Sequence, residues 1–225
     1  MSEHILKAIH DGDHSTVKRL LHTDRSLATL KIRQPRLYQS KIVHWIYAGD
    51  TLLHLAAAGY RVEIVQLLLA AGADPNSCYN HRKSGPLHYA ADTCLTSPAW
   101  SARKQGETIR CLLKAGARIN AQDKNGATPL HRAVRTRGLA AVKYLLKAGG
   151  DPLQKNKPGS TAFHLAVQNT GRGGSGSAEA KSAQGQIIQE FLSFGVDPGI
   201  KDGKGKTVFD CASSDLIREM LRDNT

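Results

Sequence analysis

The chain has 225 residues, of which 40% are hydrophobic and 22% charged, an ordinary composition for a folded globular protein that excludes a wholly disordered one. Lysine and arginine number 31 against 19 aspartate and glutamate, and the net charge of +12 favours acidic partners. No apolar run approaches the roughly 18 residues of a membrane span, and no signal peptide is visible at the start. The four cysteines form no CxxC pair, so we expect no zinc ribbon or disulfide framework, and a cytoplasmic location.

A six-residue motif recurs along the chain. It reads TLLHLA at 51–56, GPLHYA at 85–90, TPLHRA at 128–133 and TAFHLA at 161–166, with a degenerate copy, TVFDCA, at 207–212. The histidines of the first four copies are 34, 43 and 33 residues apart. Self-similarity at such a period indicates a repeat architecture.

The residues of each copy predict two helices and a turn. The first helix opens at Thr or its equivalent, and Pro86 and Pro129 stand in the first turn, where a missing N–H costs nothing. The second helix ends in a stretch such as LLLAAGADP at 67–75, where Gly72 suits a left-handed residue and Asp-Pro begins a turn. One unit cannot bury its apolar face alone, so the units are expected to stack into a solenoid.

These features resemble the ankyrin-repeat family, whose TPLHxA signature is reproduced in full at 128–133. The resemblance covers roughly residues 4–224 and implies an all-α solenoid of stacked helix-turn-helix units with β-turn and hairpin loops. It also implies that the motif histidines bond between neighbouring repeats (His54, His88, His131 and His164). Because these histidines are spread one per repeat, we expect no metal site, and we expect no cofactor or catalytic residue.

We expect a single domain over 1–225. The expected parts are an N-terminal cap repeat at 1–30, an extended hairpin insertion at 31–50, full repeats at 51–79, 80–122, 123–155 and 156–201, and a C-terminal cap at 202–225. Two further insertions, near 94–105 and 170–185, are expected in the turn between the two helices of their repeats.

The insertion at 31–50 is predicted to form two strands about a turn near Pro35. Basic residues alternate there with three aromatic residues, Tyr38, Trp45 and Tyr47. Two interpretations stay open. The aromatic side chains pack onto the first repeats, or they form a contact surface in which Trp and Tyr are the anchors.

The other two insertions are expected about 20 Å apart on one edge, with one repeat between them. The repeat between them presents Arg132, Arg135 and Arg137, which predicts a basic notch walled by the two insertions. The segment 103–147 carries eleven basic and two acidic residues, which favours acidic partners. The glycine-rich stretch 171–177 is either a linker or an anion-binding loop. The expected notch residues are Trp100, Arg103, Lys104, Arg132, Arg135, Arg137 and Arg172.

The resemblance implies a non-enzymatic, monomeric protein-interaction module that binds an acidic partner through its concave face and β-turn tips. The alternative is binding of a phosphorylated small molecule or nucleic acid at the basic notch; no membrane association is expected. The partner-binding residues that we expect are Trp45, Tyr47, Arg82, Asp92, Trp100, Lys124, Asn125, Arg135, Arg137, Lys157 and Gln168.

Overall fold

The structure is a computed structural model that describes residues 2–39, 41–94, 100–168 and 177–222. Within these ranges, helices alternate between an inner and an outer layer of an all-α solenoid. The helices are α1 (Ser2–Asp11), α2 (His14–Thr23), α3 (Leu52–Ala58), α4 (Val62–Ala70), α5 (Pro86–Ala91), α6 (Ala102–Lys114), α7 (Pro129–Arg135), α8 (Leu139–Lys147), α9 (Ala162–Ala166), α10 (Ala178–Ser193) and α11 (Asp215–Arg222). Odd-numbered helices from α1 to α9 form the inner layer, even-numbered helices form the outer layer, and α11 packs against α10.

Inner helices begin with a hydrogen-bonded box that explains the Thr and His of the motif. At α7, the backbone N–H of Thr128 donates to Nδ1 of His131 at 3.3 Å, and the N–H of His131 donates to the Thr128 hydroxyl at 3.4 Å. Pro129 occupies the first turn, where no N–H is required. The same pair of residue types opens α3 at Thr51 and α9 at Thr161.

The second ring nitrogen of each motif histidine ties its repeat to the next one. Because Nδ1 accepts a backbone N–H, the ring proton lies on Nε2 and is donated to a carbonyl oxygen of the following repeat. This confirms that the motif histidines bond between neighbouring repeats. The Nε2-to-oxygen distances are 3.0 Å for His54 to Ser84, 3.1 Å for His88 to Ala127, 3.1 Å for His131 to Ser160 and 3.2 Å for His164 to Lys206.

The hydrophobic core runs without a break between the two layers. Leu53, Ala57 and Val65 are fully buried in one repeat, and the rings of Phe163 and Phe191 stack at 4.9 Å in another. Small alanines on the inner helices allow the layers to approach closely. Burial of this continuous core stabilises the stacked units together.

The segment 31–50 contains a β-hairpin made of β1 (Arg36–Gln39) and β2 (Val43–Ile46). The strands are antiparallel, and they are joined after Gln39 rather than near Pro35, where the turn was expected. Pro35 instead precedes β1, because a proline cannot donate to a strand ladder but is accepted just outside it. An isolated bridge between Lys31 and Thr51 closes the base of the segment.

The two other insertions are partly helical, so the loops are shorter than predicted. Residues 102–105 belong to α6 and residues 178–185 to α10. Ser101 and Ser177 cap these helices, since each side chain accepts a backbone N–H of the first turn. The remaining insertion residues, 95–99 and 169–176, lie outside the described residues, as do Arg172 and all but the last residue of the glycine-rich stretch.

A buried glutamine completes the end of the inner helix in both inserted repeats. Nε2 of Gln105 donates to the Ala90 carbonyl at 3.0 Å, and Nε2 of Gln184 donates to the Ala166 carbonyl at 2.7 Å. In the two repeats without such an insertion, the backbone N–H groups of Arg61 and Gly138 donate to the equivalent carbonyls at 3.0 and 2.8 Å. An insertion therefore removes a backbone donor, and a side-chain donor replaces it.

The hydrogen bonds from the motif histidines to the next repeat predict that the free energy of unfolding falls in mild acid. Burial, followed by the charge of Arg132, lowers the pKa of His88 to about 4, and burial also lowers the pKa of His54 and of His131. In the unfolded chain these rings bind a proton near pH 6.5. The stability that the neutral histidines contribute is therefore fully present above that pH and is lost as the pH falls toward 4. His88 alone accounts for about 3 kcal/mol of the free energy of unfolding.

Urea unfolding at pH 7.0 and pH 4.5 measures this loss, before most carboxylates titrate. We expect a clearly lower midpoint at pH 4.5. The variant His22→Ala, which removes an exposed histidine, serves as the control and should show the same pH dependence. An equal midpoint at the two pH values would contradict the account.

Candidate interaction surface

The hairpin folds back over the inner layer instead of projecting away from it. Ile42 packs against Gly59 at the end of α3, where an added Cβ would come within 2.6 Å of Ile42 Cδ1. His44 on β2 reaches the end of α5, with its Nε2 2.9 Å from Oδ2 of Asp92. Ile42 and Ile46 are fully buried. The hairpin therefore covers the carboxyl ends of the first inner helices and closes that part of the concave face.

Basic side chains of the hairpin meet acidic side chains of α1. Arg36 lies 3.3 Å from Glu3, and Lys41 Nζ lies 3.0 Å from an Asp11 carboxylate oxygen. Hydrogen bonds from Lys7 and then Lys41 hold the pKa of Asp11 below its ordinary value. These pairs are mostly exposed, so they orient the hairpin more than they stabilise the fold.

A buried ion pair lies beneath the hairpin, between Asp92 and Arg132. Nε of Arg132 donates to Asp92 Oδ1 at 2.8 Å, and Nη2 donates to Oδ2, the oxygen that His44 also contacts. Arg132 is 4% exposed and Asp92 is 8% exposed. Burial alone would raise the pKa of Asp92, but the guanidinium of Arg132 holds the pKa well below its usual range. Asp92 and Arg132, which the sequence analysis expects on the surface, are therefore internal.

Arg132 is internal because its place in the motif faces the inner packing layer. Leu55, Tyr89 and Leu165 occupy the same place in the other copies. An arginine is tolerated there since Asp92 neutralises it and its guanidinium lies 5.9 Å from the ring centre of Tyr89. The prediction that Arg132 contributes to a basic surface notch is therefore wrong.

Other expected notch residues also have internal partners. Arg137 donates from its guanidinium to the carbonyls of Ala166 and Gln168, at 3.2 and 3.0 Å, and so caps the end of α9. Trp100 is half-buried and its indole N–H donates to Gln105 Oε1 at 3.0 Å. Arg103 and Lys104 are exposed, and Arg103 pairs with a glutamate one helical turn away. The described residues therefore assemble only part of the predicted notch.

The β-turn tips between repeats form a continuous row. The N–H of Lys124 donates to the carbonyl of Arg82 at 2.7 Å, and the N–H of Lys157 donates to the carbonyl of Asn125 at 2.9 Å. Gly126 permits this approach, because its φ is +73° and an added Cβ would lie 2.7 Å from the Lys157 nitrogen. Backbone hydrogen bonds thus set the spacing between successive tips.

Cationic side chains follow this row. Lys124 and Lys157 are exposed, Arg82 is half-buried, and Arg135 is exposed at the end of α7. Partial burial, followed by the positive charge of Arg132, lowers the pKa of Arg135; Arg82 acts in the same direction, and Asp92 and Asp123 act against it. Four cationic side chains therefore lie along this row or beside it. We refer to Arg82, Lys124, Arg135 and Lys157 as the basic row; Asn125 lies within it, and Gln168 is exposed at the end of α9.

An aromatic pair on the hairpin adjoins the basic row. The rings of Trp45 and Tyr47 stack at 6.3 Å, and the Arg82 guanidinium lies 5.6 Å from the centre of the Tyr47 ring. Tyr38, by contrast, lies on the face turned to the repeats, 5.1 Å from the ring of His10. Tyr38 therefore packs inward, as the first interpretation expects, whereas Trp45 stays exposed and its role as an anchor stays a prediction.

A second buried carboxylate, Asp50, was not recognised from the sequence as internal. Its Oδ2 accepts the Tyr89 hydroxyl and the Tyr47 N–H, both at 2.7 Å, and its Oδ1 accepts the Asn80 amide at 2.7 Å. The repeated motif did contain a signal for this cluster. Tyr89 and Arg132 stand where two other copies of the motif have leucine, and a polar side chain buried at that position requires a polar partner.

Within the described ranges, no group of three or more His, Cys, Asp or Glu side chains is placed to hold a metal ion. No helix there is both long enough and apolar enough to cross a membrane.

Comparison with known proteins supports the repeat assignment. Family models match residues 99–175, as three copies of ankyrin repeats, and residues 48–80, as one ankyrin repeat. Similar curated proteins include a probable serine/threonine-protein kinase of Dictyostelium discoideum, 31% identical over 56% of this chain and 13% of that protein. Rabankyrin-5 of Homo sapiens is 33% identical over 39% of this chain and 8% of its own length. The nuclear factor NF-kappa-B p105 subunit of Gallus gallus is 36% identical over 38% of this chain and 8% of its own length. The chain therefore spans only a small part of these relatives.

The buried ion pair predicts strong coupling between its two members. Asp92→Ala leaves the buried guanidinium with only a long contact, 3.9 Å to Asp123, and should lower the free energy of unfolding by about 3 kcal/mol. Arg132→Leu introduces the residue found at the same place in two other repeats, yet leaves Asp92 unneutralised. The double variant removes both charges and should be more stable than Asp92→Ala. Urea unfolding of the four proteins at pH 7 measures the coupling; strictly additive losses would contradict it.

Proposed function

Because the chain belongs to the ankyrin-repeat family, we propose that it is a protein-interaction module whose basic row binds an acidic segment of a partner protein. Ankyrin repeats are general protein-protein interaction modules. The observation that carries the acidic preference is the alignment of Arg82, Lys124 and Lys157 along tips that are bonded to one another, with Arg135 at the end of α7 within reach of the charge of Arg82.

Nearby carboxylates do not neutralise this row. Asp92 and Asp123 are the acidic groups whose charges act on Arg135. Both are buried, and Asp92 is paired with Arg132 while Asp123 accepts the N–H groups of Asn125 and Ala127 at 2.8 and 3.0 Å. Asp123 keeps its charge, but the four cations of the row outnumber it, and the net positive charge favours an acidic partner and speeds its approach.

The hairpin directs the partner to the later repeats. Because it covers the carboxyl ends of α1, α3 and α5, a partner has no access to the concave face at those points. The exposed members of the basic row, Lys124, Arg135 and Lys157, lie on the later tips and at the end of α7. The proposed site therefore lies on the tips and on the inner face beyond the hairpin.

We also propose that the chain has no enzymatic activity of its own and acts as a cytoplasmic monomer without a cofactor. The buried polar groups that resemble catalytic clusters, Asp92 with Arg132 and Asp50 with Tyr89, are bonded to one another. They therefore have structural roles. The alternative function, binding of a phosphorylated small molecule or nucleic acid at the notch, is weakened because Arg132 and Arg137 are bonded internally.

A titration with a fluorescein-labelled peptide of glutamate and serine tests the proposal. We expect the double variant Lys124→Ala, Arg135→Ala to bind about tenfold or more weakly, since each lost contact between opposite charges is worth ~1 kcal/mol. The matched control removes two lysines from equivalent ends of outer helices, as Lys114→Ala and Lys147→Ala, and should bind like the wild type.

An equal loss in both variants would show a non-specific charge effect and would contradict the site. Unchanged affinity of Lys124→Ala, Arg135→Ala would also contradict it. A parallel titration with labelled single-stranded DNA and with ATP separates the alternative function: binding of these probes without binding of the peptide would favour the notch.

A further inference from the structure

The outer face of the hairpin presents two apolar side chains side by side. Leu37 on β1 stands directly opposite Trp45 on β2. Opposite residues of an antiparallel pair point to the same face, with Cβ atoms about 5 Å apart. Leu37 is 36% exposed and Trp45 is 48% exposed. We refer to this pair as the apolar ledge.

The ledge is distinct from the packing face of the hairpin. Along β2, His44 and Ile46 turn toward the repeats, where Ile46 is fully buried and His44 contacts Asp92. Trp45, between them, turns away because successive side chains of a strand alternate between faces. Anchoring His44 and Ile46 on the repeats holds the ledge in one position, so a ligand that binds it loses little entropy in ordering the hairpin.

The ledge continues into the basic row without a gap. Trp45 stacks on Tyr47, the Tyr47 hydroxyl accepts a hydrogen bond from Arg82 Nη1 at 3.1 Å, and the Arg82 carbonyl accepts the N–H of Lys124 at 2.7 Å. The charge of Arg82 acts in turn on Arg135. One extended peptide can therefore contact the aromatic rings and the cationic groups together.

We infer that the occupant of this surface is an acidic segment that carries one large apolar side chain, and that this side chain packs on the ledge while the carboxylates face the basic row. The inference rests on the proposed function and adds the sequence character of the partner. Charge complementarity supports it, because the segment 31–50 has four basic residues and a single acidic residue, the buried Asp50. Exposed tryptophan beside arginine is also the composition typical of binding hot spots.

An immobilised array of peptides tests this inference with the whole chain. Each peptide has a background of aspartate, glutamate and serine with one central position varied over the natural residues. We expect peptides with Trp, Phe or Leu at that position to bind about tenfold more tightly than the glycine peptide, the gain of burying one apolar side chain.

Trp45→Ala should abolish this preference, so that peptides with Trp, Phe or Leu bind no more tightly than the glycine peptide. Phe194→Ala is the matched control, because Phe194 is 47% exposed at the end of α10, and it should keep the preference. Leu37→Ser provides a second variant at the ledge, with the same loss expected. Thermal unfolding of each variant establishes that the fold is retained.

The outcomes separate the two proposals. Acidic peptides that bind equally well whatever the central residue would overturn the ledge and leave the basic row standing. Failure of every acidic peptide to bind would overturn the proposed function itself. Binding of phosphatidylserine vesicles that depends on Trp45, with no preference among the peptides, would assign the ledge to a membrane surface and would overturn the inference.

Discussion

The bond from each motif histidine to a carbonyl of the following repeat is the interaction on which the rest of the structure depends. Its Nδ1 side fixes the start of an inner helix, and its Nε2 side fixes where the next β-turn lies, as for His88 and Ala127. The tips are then close enough to bond to one another, as Lys124 bonds to Arg82. Side chains from distant parts of the sequence therefore fall into one row, and the ring must stay neutral for the arrangement to hold.

The hairpin and the buried ion pair, which the regular repeat lacks, determine which part of the inner face is exposed. The hairpin brings His44 onto Asp92, and Asp92 needs Arg132 because a buried carboxylate without a cation is costly. These contacts close the inner face over the early repeats and remove two charged residues from the surface. What remains exposed is the later tips, with Arg135 beside them. A feature that adds an element to the fold thus also limits where a partner can bind.

Much of the fold could be predicted from the sequence because its signals are local. The Thr–His box, the helix-ending glycines and the repeat period each involve residues within one unit, and the histidine bridges followed from the family resemblance. The burial of Arg132 could not be predicted, since it depends on Asp92, which lies 40 positions earlier in the chain, before the insertion near 94–105. The direction in which the hairpin folds depends likewise on the fit of Ile42 against Gly59.

The central claim is that the basic row is open while the hairpin closes the face of the early repeats. Hydrogen–deuterium exchange of the whole chain, with and without the glutamate–serine peptide, measures both parts of the claim at once. The account predicts added protection at residues 80–84 and 122–126 and at the end of α7, with unchanged exchange in α3 beneath the hairpin. Protection confined to the outer helices α6 and α8, or appearing first in α3, would contradict it.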